Sequence, residues 1–375
     1  MDGENTLKVT FPHMETLWIA LKNLFEGLGT EVVVPPPITK KTITLGARHS
    51  PEFACFPLKV NLGNFIEALE AGADTIIMVG GTGPCRLGYY AEVQREILND
   101  LGYDFEMVTL EPPQGSLLGL ASNIKRLAYN KPWNEIFQAF KLAWQQIHAL
   151  DMLQKTSLKV RPLEKNKGDT TKAYERAVSL MVGARDAATT EMAFSHGLKI
   201  IQGVDQVASS RKPLKIGIVG EIYMVLEPYA NMELEKTLGE MGVEVHRSIY
   251  LGHWIKDHLL PKLFGSGDVE EIKKAALEYL DHFVGGHGLE SVGNTILYAR
   301  DNYDGVIHLL PFTCTPEIVA QSILPEVSRD YNIPLLSFSM DEHSGKAGIV
   351  TRLEAFLDLL EQKREKEKIK VQGAV

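Results

Sequence analysis

Apolar and polar positions follow two alternating patterns along the chain. Short runs rich in β-branched residues are stopped by glycine or proline, and stretches with helical spacing separate them. Leu7–Phe11 predicts a first strand, and Glu15–Gly29 an amphipathic helix with Leu17, Ile19, Leu21 and Leu24 among its apolar positions. Glu31–Val34 predicts a second strand, ended by Pro35-Pro36-Pro37, and the mostly polar stretch Ile38–Ala54 a long loop. A helix over Leu58–Ala71, a strand over Thr75–Val79, a helix from Arg86 to Asp100 and a strand over Phe105–Leu110 follow. The run Thr75–Val79 is short, apolar and β-rich, as in strands buried on both faces of a parallel sheet.

From Pro112 to Ser209 the pattern turns helical. Trp133–Met152 and Thr171–Gln206 carry helical periodicity, and the linker Val160–Asp169, rich in Lys, Pro and Asn, reads as exposed. Strand and helix then alternate again: strand Leu214–Val219, helix Met232–Met241, strand Val243–Tyr250, helices His253–Leu263 and Val269–Phe283. After the glycine-rich Gly285–Gly288 come strand Gly305–Pro311, helix Pro316–Ser328, strand Pro334–Ser339 and helix Gly348–Gln362. The charge-alternating Lys363–Lys370 reads as a solvated helix end. The expected fold class is α/β: two doubly wound Rossmann-like lobes with parallel sheets, residues 1–111 and 211–375, joined by a helical insert, 112–210.

Composition narrows the function classes. The 375 residues exceed what one ordinary core holds, and 45% apolar content fits a globular protein. A formal charge of −9 argues against nucleic acid as the main partner. No apolar run approaches the length that spans a bilayer, and the start MDGENTLKVTF is acidic and lacks a signal peptide's apolar core. The expectation is a cytoplasmic protein in a reducing compartment, where cysteines are thiols or ligands and not disulfides.

The candidate chemistry lies in three cysteines. Cys85 follows the strand Thr75–Val79 and its glycine-rich turn, Cys314 follows Gly305–Pro311, and Cys55 precedes the helix Leu58–Ala71. All three stand at loop-to-helix junctions, where unpaired N–H groups favour a thiolate. Cys85 and Cys314 also fall off the carboxyl ends of strands, where open α/β sheets bind ligands. The common motifs are absent: no phosphate-binding G-x-x-x-x-G-K-[ST], no G-x-S-x-G, no H-E-x-x-H and no C-x-x-C, and Arg86 stands where a dinucleotide fingerprint needs its last glycine. Three readings remain open on position alone. The cysteines are small buried hydrophobes, or zinc ligands with His49 or His343 as fourth, or ligands of a cubane iron–sulfur cluster whose fourth iron lacks a protein thiolate. Arg86 is a candidate for offsetting cluster charge, Glu221 for acid or base work with Tyr223 beside it, and His343 for shuttling a proton.

The segments ACFPLK around Cys55, GGTGPCRLGYY around Cys85, GEIY at Gly220–Tyr223, PFTCTPE around Cys314 and DEHSGKAGIVTRLEAF from Asp341 together resemble the 2-hydroxyacyl-CoA dehydratase superfamily. More narrowly they look like its short members labelled CoA protein activase or activase-related. The resemblance covers nearly the whole chain. It implies one [4Fe-4S] cluster per chain, held by Cys55, Cys85 and Cys314 with one iron open, and an ATP-hydrolysing iron–sulfur activase as electron donor. It further implies a small-molecule substrate such as an acyl-CoA, a homologous second subunit or a second copy as partner, and a setting in anaerobic metabolism. Phosphate-binding loops of the actin and sugar-kinase type are missing, so the chain resembles the electron-accepting component and not the ATPase. An iron–sulfur electron carrier or assembly partner without a substrate, and a two-lobed small-molecule-binding protein with structural cysteines, are the alternatives.

Overall fold

The computed structural model describes residues 6–80, 84–110, 117–207, 212–259 and 267–372. Two compact units emerge, Met1–Leu150 with Met181–Ala193, and Asp151–Leu180 with Phe194–Val375. Each holds a four-stranded, wholly parallel sheet, so the expected α/β class and the two Rossmann-like lobes are observed. The helical stretch between the lobes is shared out between the two units.

In the first unit β1 (Lys8–Thr10), β2 (Glu31–Val32), β3 (Thr75–Val79) and β4 (Glu106–Leu110) lie in the order β2-β1-β3-β4. Helix α1 (Leu17–Leu28) connects β1 to β2 and ends where Gly29, at φ 105°, donates to Phe25 and Glu26 carbonyls. The segment expected as a loop contains a helix, α2 (Lys40–His49). Its start is set by Thr39 and Thr42, each of whose side chains bonds the other's backbone N–H. Its apolar stripe is too thin to read, because a glycine forms the contact. A Cβ on Gly46 would lie 1.6 Å from the Lys59 carbonyl oxygen, and one on Gly63 would lie 1.9 Å from that of Thr42. The backbone of α2 therefore rests directly on α3 (Phe56–Glu70). The helix expected from Arg86 begins as a 3-10 turn, Arg86–Tyr89, before α4 (Tyr90–Asp100). Tyr90, Leu98, Met78, Ile76, Phe65 and Leu62 form the buried core around β3, and Cys55 belongs to it.

In the chain, α5 (Leu117–Leu127), α6 (Trp133–Val160), α7 (Asp169–Val182) and α8 (Ala187–Gln202) come after the first sheet and before the second. The expected single stretch Thr171–Gln206 breaks at 183–186, because Asp186 and Thr189 cap α8 reciprocally. The linker expected to be exposed is so only at Lys165–Lys167. Arg161 is buried, and the Glu164 carboxylate caps α7 through the N–H groups of Gly168 and Thr170.

The second unit repeats the first. Strands β5 (Leu214–Gly220), β6 (Val243–Arg247), β7 (Gly305–Pro311) and β8 (Leu335–Met340) lie in the order β6-β5-β7-β8. The register matches as well. Lys8 pairs with Glu31 and Val9 with Thr75; Lys215 pairs with Glu244 and Ile216 with Gly305. An aspartate clasps each first strand: Asp74 accepts from the Lys8 N–H at 2.9 Å, and Asp304 from the Lys215 N–H at 2.7 Å. Cys85 and Cys314 both open the helical segment after the third strand, one residue apart when counted from the register, and are counterparts by that place. The helices of this unit are α9 (Ile222–Leu226), α10 (Leu234–Glu240), α11 (Leu251–Trp254), α12 (Gly267–Ala276), α13 (Gly288–Arg300), α14 (Thr315–Asp330) and α15 (Lys346–Gln372). The expected helix His253–Leu263 runs as α11 and a π turn, Ile255–Leu259, and its remainder lies outside the described residues. Helices α9 and α13 are additions to the expected set.

Candidate functional site

None of the three cysteines is in a disulfide, and each is the residue immediately before a helix. Their backbones are extended, at φ near −70°, and none uses its sulfur to cap its own helix. In the first unit Cys55 is buried at the start of α3, and its sulfur and the Tyr90 hydroxyl are hydrogen-bond partners. Cys85 is half-buried. Arg86 beside it donates to the Phe53 carbonyl at 2.8 Å, two residues ahead of Cys55. Arg86 and Tyr90 thus tie the segment carrying Cys85 to the one carrying Cys55. Burial in the apolar core sends Tyr90 to this task, while Tyr89 is 70% exposed. His49 closes α2 and is half-buried.

In the second unit Cys314 is buried and opens α14. Thr313 before it holds φ 66°, a left-handed conformation that a β-branched residue adopts only under constraint, at a cost on the order of 1–3 kcal/mol. Glu221 follows β5, as the sequence predicts, and its N–H reaches the Leu309 carbonyl of β7 at 3.1 Å. The close approach requires Gly220: at φ 143°, a Cβ there would lie 1.9 Å from that same oxygen. The Glu221 carboxylate caps α9 by accepting from the Met224 N–H at 3.0 Å. Burial, with a further push from the charge of Glu317, raises its pKa from 4.5 to about 7, although the Met224 and Tyr223 N–H groups pull it down. Burial, then the charges of Glu227 and Glu221, likewise lifts Tyr223 well above the usual phenol range. His343 lies in the exposed turn after β8, where Asp341 accepts its backbone N–H at 2.9 Å.

Sequence reasoning missed a pair of residues here. His308, in the middle of β7, and Glu317, in the first turn of α14, are both fully buried and meet at 2.8 Å. Ser291 donates to the same Glu317 oxygen at 2.8 Å, and Ser337 lies 3.4 Å from His308 Nδ1. The other Glu317 carboxylate oxygen is buried without a partner among the described residues. The signal was a lone histidine inside an apolar strand, followed by a glutamate three residues past a cysteine.

The stretch from the end of β1 through β3, with Cys55 inside it, is where likeness to a known family falls. Residues 13–78 match the CoA enzyme activase uncharacterised domain. That domain is related to the 2-hydroxyacyl-CoA dehydratase/activase family, and the match stops short of Cys85 and of the second unit. No curated protein matches the chain.

Among the described residues, no three His, Cys, Asp or Glu side chains stand together as a metal-binding group, and no helix is long and apolar enough to cross a membrane. Within a few residues of each cysteine in sequence an apolar side chain is exposed: Phe53 before Cys55, Val79 and Tyr89 either side of Cys85, Phe312 and Ile318 either side of Cys314.

Proposed function

We propose that the chain works in a 2-hydroxyacyl-CoA dehydratase/activase system as its electron-accepting component, with Cys55, Cys85 and Cys314 the ligands of one [4Fe-4S] cluster. The observation that carries this reading is the duplicated fold with a thiol at the same point of each copy. Cys85 and Cys314 both open the helix that follows the third strand, at the carboxyl edge where such sheets take ligands. The match over residues 13–78 supports it independently. The donor set fits such a cluster in kind: three thiols outside any disulfide, each at the start of a helix or 3-10 turn, the end whose dipole favours a thiolate. The exposed apolar side chains flanking them fit a surface that a ligand or partner covers.

The cluster, when bound, supplies a one-electron centre with an iron open to substrate. This chain's own residues do the rest. Arg86 and Tyr90 hold the Cys55 and Cys85 segments in register, and Tyr90 is placed to give a hydrogen bond to the Cys55 sulfur, which favours the thiolate. The electron donor in this reading is an ATP-hydrolysing iron–sulfur activase, the substrate a small molecule such as an acyl-CoA, and a homologous subunit or a second copy a further partner. The test is electron paramagnetic resonance of the reduced, oxygen-free protein with and without a candidate acyl-CoA. A shifted signal is expected. A signal that no acyl-CoA changes would reassign the chain to electron carriage alone.

A further inference from the structure

The duplicated fold separates what the architecture needs from what is added to it. Register makes Met78 of β3 the counterpart of His308 of β7, since Thr75 and Gly305 are counterparts. Counting from the paired cysteines, Gly88 stands where Glu317 does, and Met14 follows β1 where Glu221 follows β5. The first unit therefore builds the same sheet with no titratable group at these places. The second buries a histidine and a carboxylate there and half-buries another carboxylate, and burying such groups is costly. A cost that the fold does not require marks chemistry.

The geometry is that of a proton site. His308 and Ser291 both bond to one oxygen of Glu317, and the other oxygen faces no donor among the described residues. Glu221 sits at the neighbouring strand end, held by the Leu309 carbonyl one residue past His308. Helix α9 packs on β5 and β7. His308 is the titratable residue those strands carry, apart from Lys215 at the opposite end of β5. On its own segment Tyr223 stands near both Glu221 and Glu227, and the Tyr223 hydroxyl is buried without a partner among the described residues. Against Glu317, α13 brings Ser291, with Glu290 directly before it, Tyr298 and Arg300 further along, and His287 just ahead of the helix, whose Nε2 accepts from the Trp254 indole at 3.0 Å.

We propose that Glu221, backed by the buried pair of His308 and Glu317, is a proton-transfer site serving the carboxyl edge of the second sheet, where Cys314 stands. Glu221 carries a proton as a neutral carboxylic acid and passes it to an oxygen of whatever binds there; the O–H bond of the acid breaks, a new O–H bond forms on the ligand, and Glu221 is left a carboxylate. No electron moves in this step. The charge of Glu317 then opposes the new carboxylate and drives it to take a proton again from solvent, which half-buried Glu221 reaches. Glu317 and His308 act through Glu221 and are positioning residues. Only the identity of the proton's destination rests on the dehydratase reading.

The test uses full-length, metal-free protein, so its failure is distinct from a failure to bind iron. Carboxyl carbon NMR on glutamate-labelled protein follows Glu221, assigned by the resonance lost in Glu221→Gln. A midpoint near 7 is expected in the unmodified chain. In Glu317→Gln, which keeps the shape and the Ser291 bond, the midpoint should fall by roughly half to one pH unit, the scale of a lost neighbouring charge. The double variant His308→Met, Glu317→Gln copies the methionine that the first unit uses at the matching place and should fall equally, guarding against a fold lost through one unpaired group. A Glu221 midpoint in the ordinary carboxylate range overturns the proton site. A midpoint near 7 that neither variant moves overturns the role of the pair.

Discussion

Glu221 shows how one side chain ties stability to pH. Its pKa is raised on folding, from 4.5 to about 7, chiefly by burial. A group whose native pKa is raised binds its proton more tightly when folded. Its stabilising contribution is complete below about 4.5 and is lost as the pH rises through about 7. Glu221→Gln, which keeps an acceptor for the Met224 N–H, should therefore flatten the stability–pH curve between these values. Denaturant melts at pH 4.5, 6 and 8 check this, and equal slopes in both proteins would count against a raised pKa. At this scale the sequence was partly legible. Glu221 and the cysteines stood out because a strand end or a helix start precedes or follows each. His308 and Glu317 did not, since nine residues separate them and only the turn through Thr313 brings them to 2.8 Å.

At the scale of elements, Cys55 depends on how α2 and α3 meet. The two backbones touch through Gly46 and Gly63, and the obstacle to a larger residue is a carbonyl that cannot swing aside. Gly46→Ala should destabilise the first unit by about 1–3 kcal/mol or more. Gly348→Ala in α15, where nothing lies within 4 Å, should be neutral or gain up to about 0.5 kcal/mol. Urea unfolding of both variants decides it; a Gly46→Ala protein as stable as the parent would mean the helices pack otherwise. This contact explains why α2 was unreadable as a helix. The hydrophobic pattern reports side chains that seek a core, and here the contact is made by the lack of one. The strands Thr75–Val79 and Gly305–Pro311 were legible for the opposite reason, since burial on both faces demands an unbroken apolar run.

The whole molecule is two copies of one topology that have diverged in chemistry. Strand order, register and the aspartate clasp repeat, while the carboxylates and the histidine occur in the second copy alone among the matched positions. Duplication was only half-visible in the sequence, as two strands each followed by a cysteine. The matching register depends on pairings between strands far apart in the chain, which periodicity does not report. The central claim is that thiols from both copies hold one cluster. The direct measurement is iron and acid-labile sulfide per chain in protein purified or reconstituted without oxygen, in the parent and in Cys85→Ala and Cys314→Ala. The account predicts about four of each in the parent, as a single cubane requires, and a collapse in both variants. It also predicts little change in the metal-free melt of Cys85→Ala, since truncating a half-buried loop residue costs about 1 kcal/mol or less. A parent without iron, or a full complement retained in either variant, would contradict it.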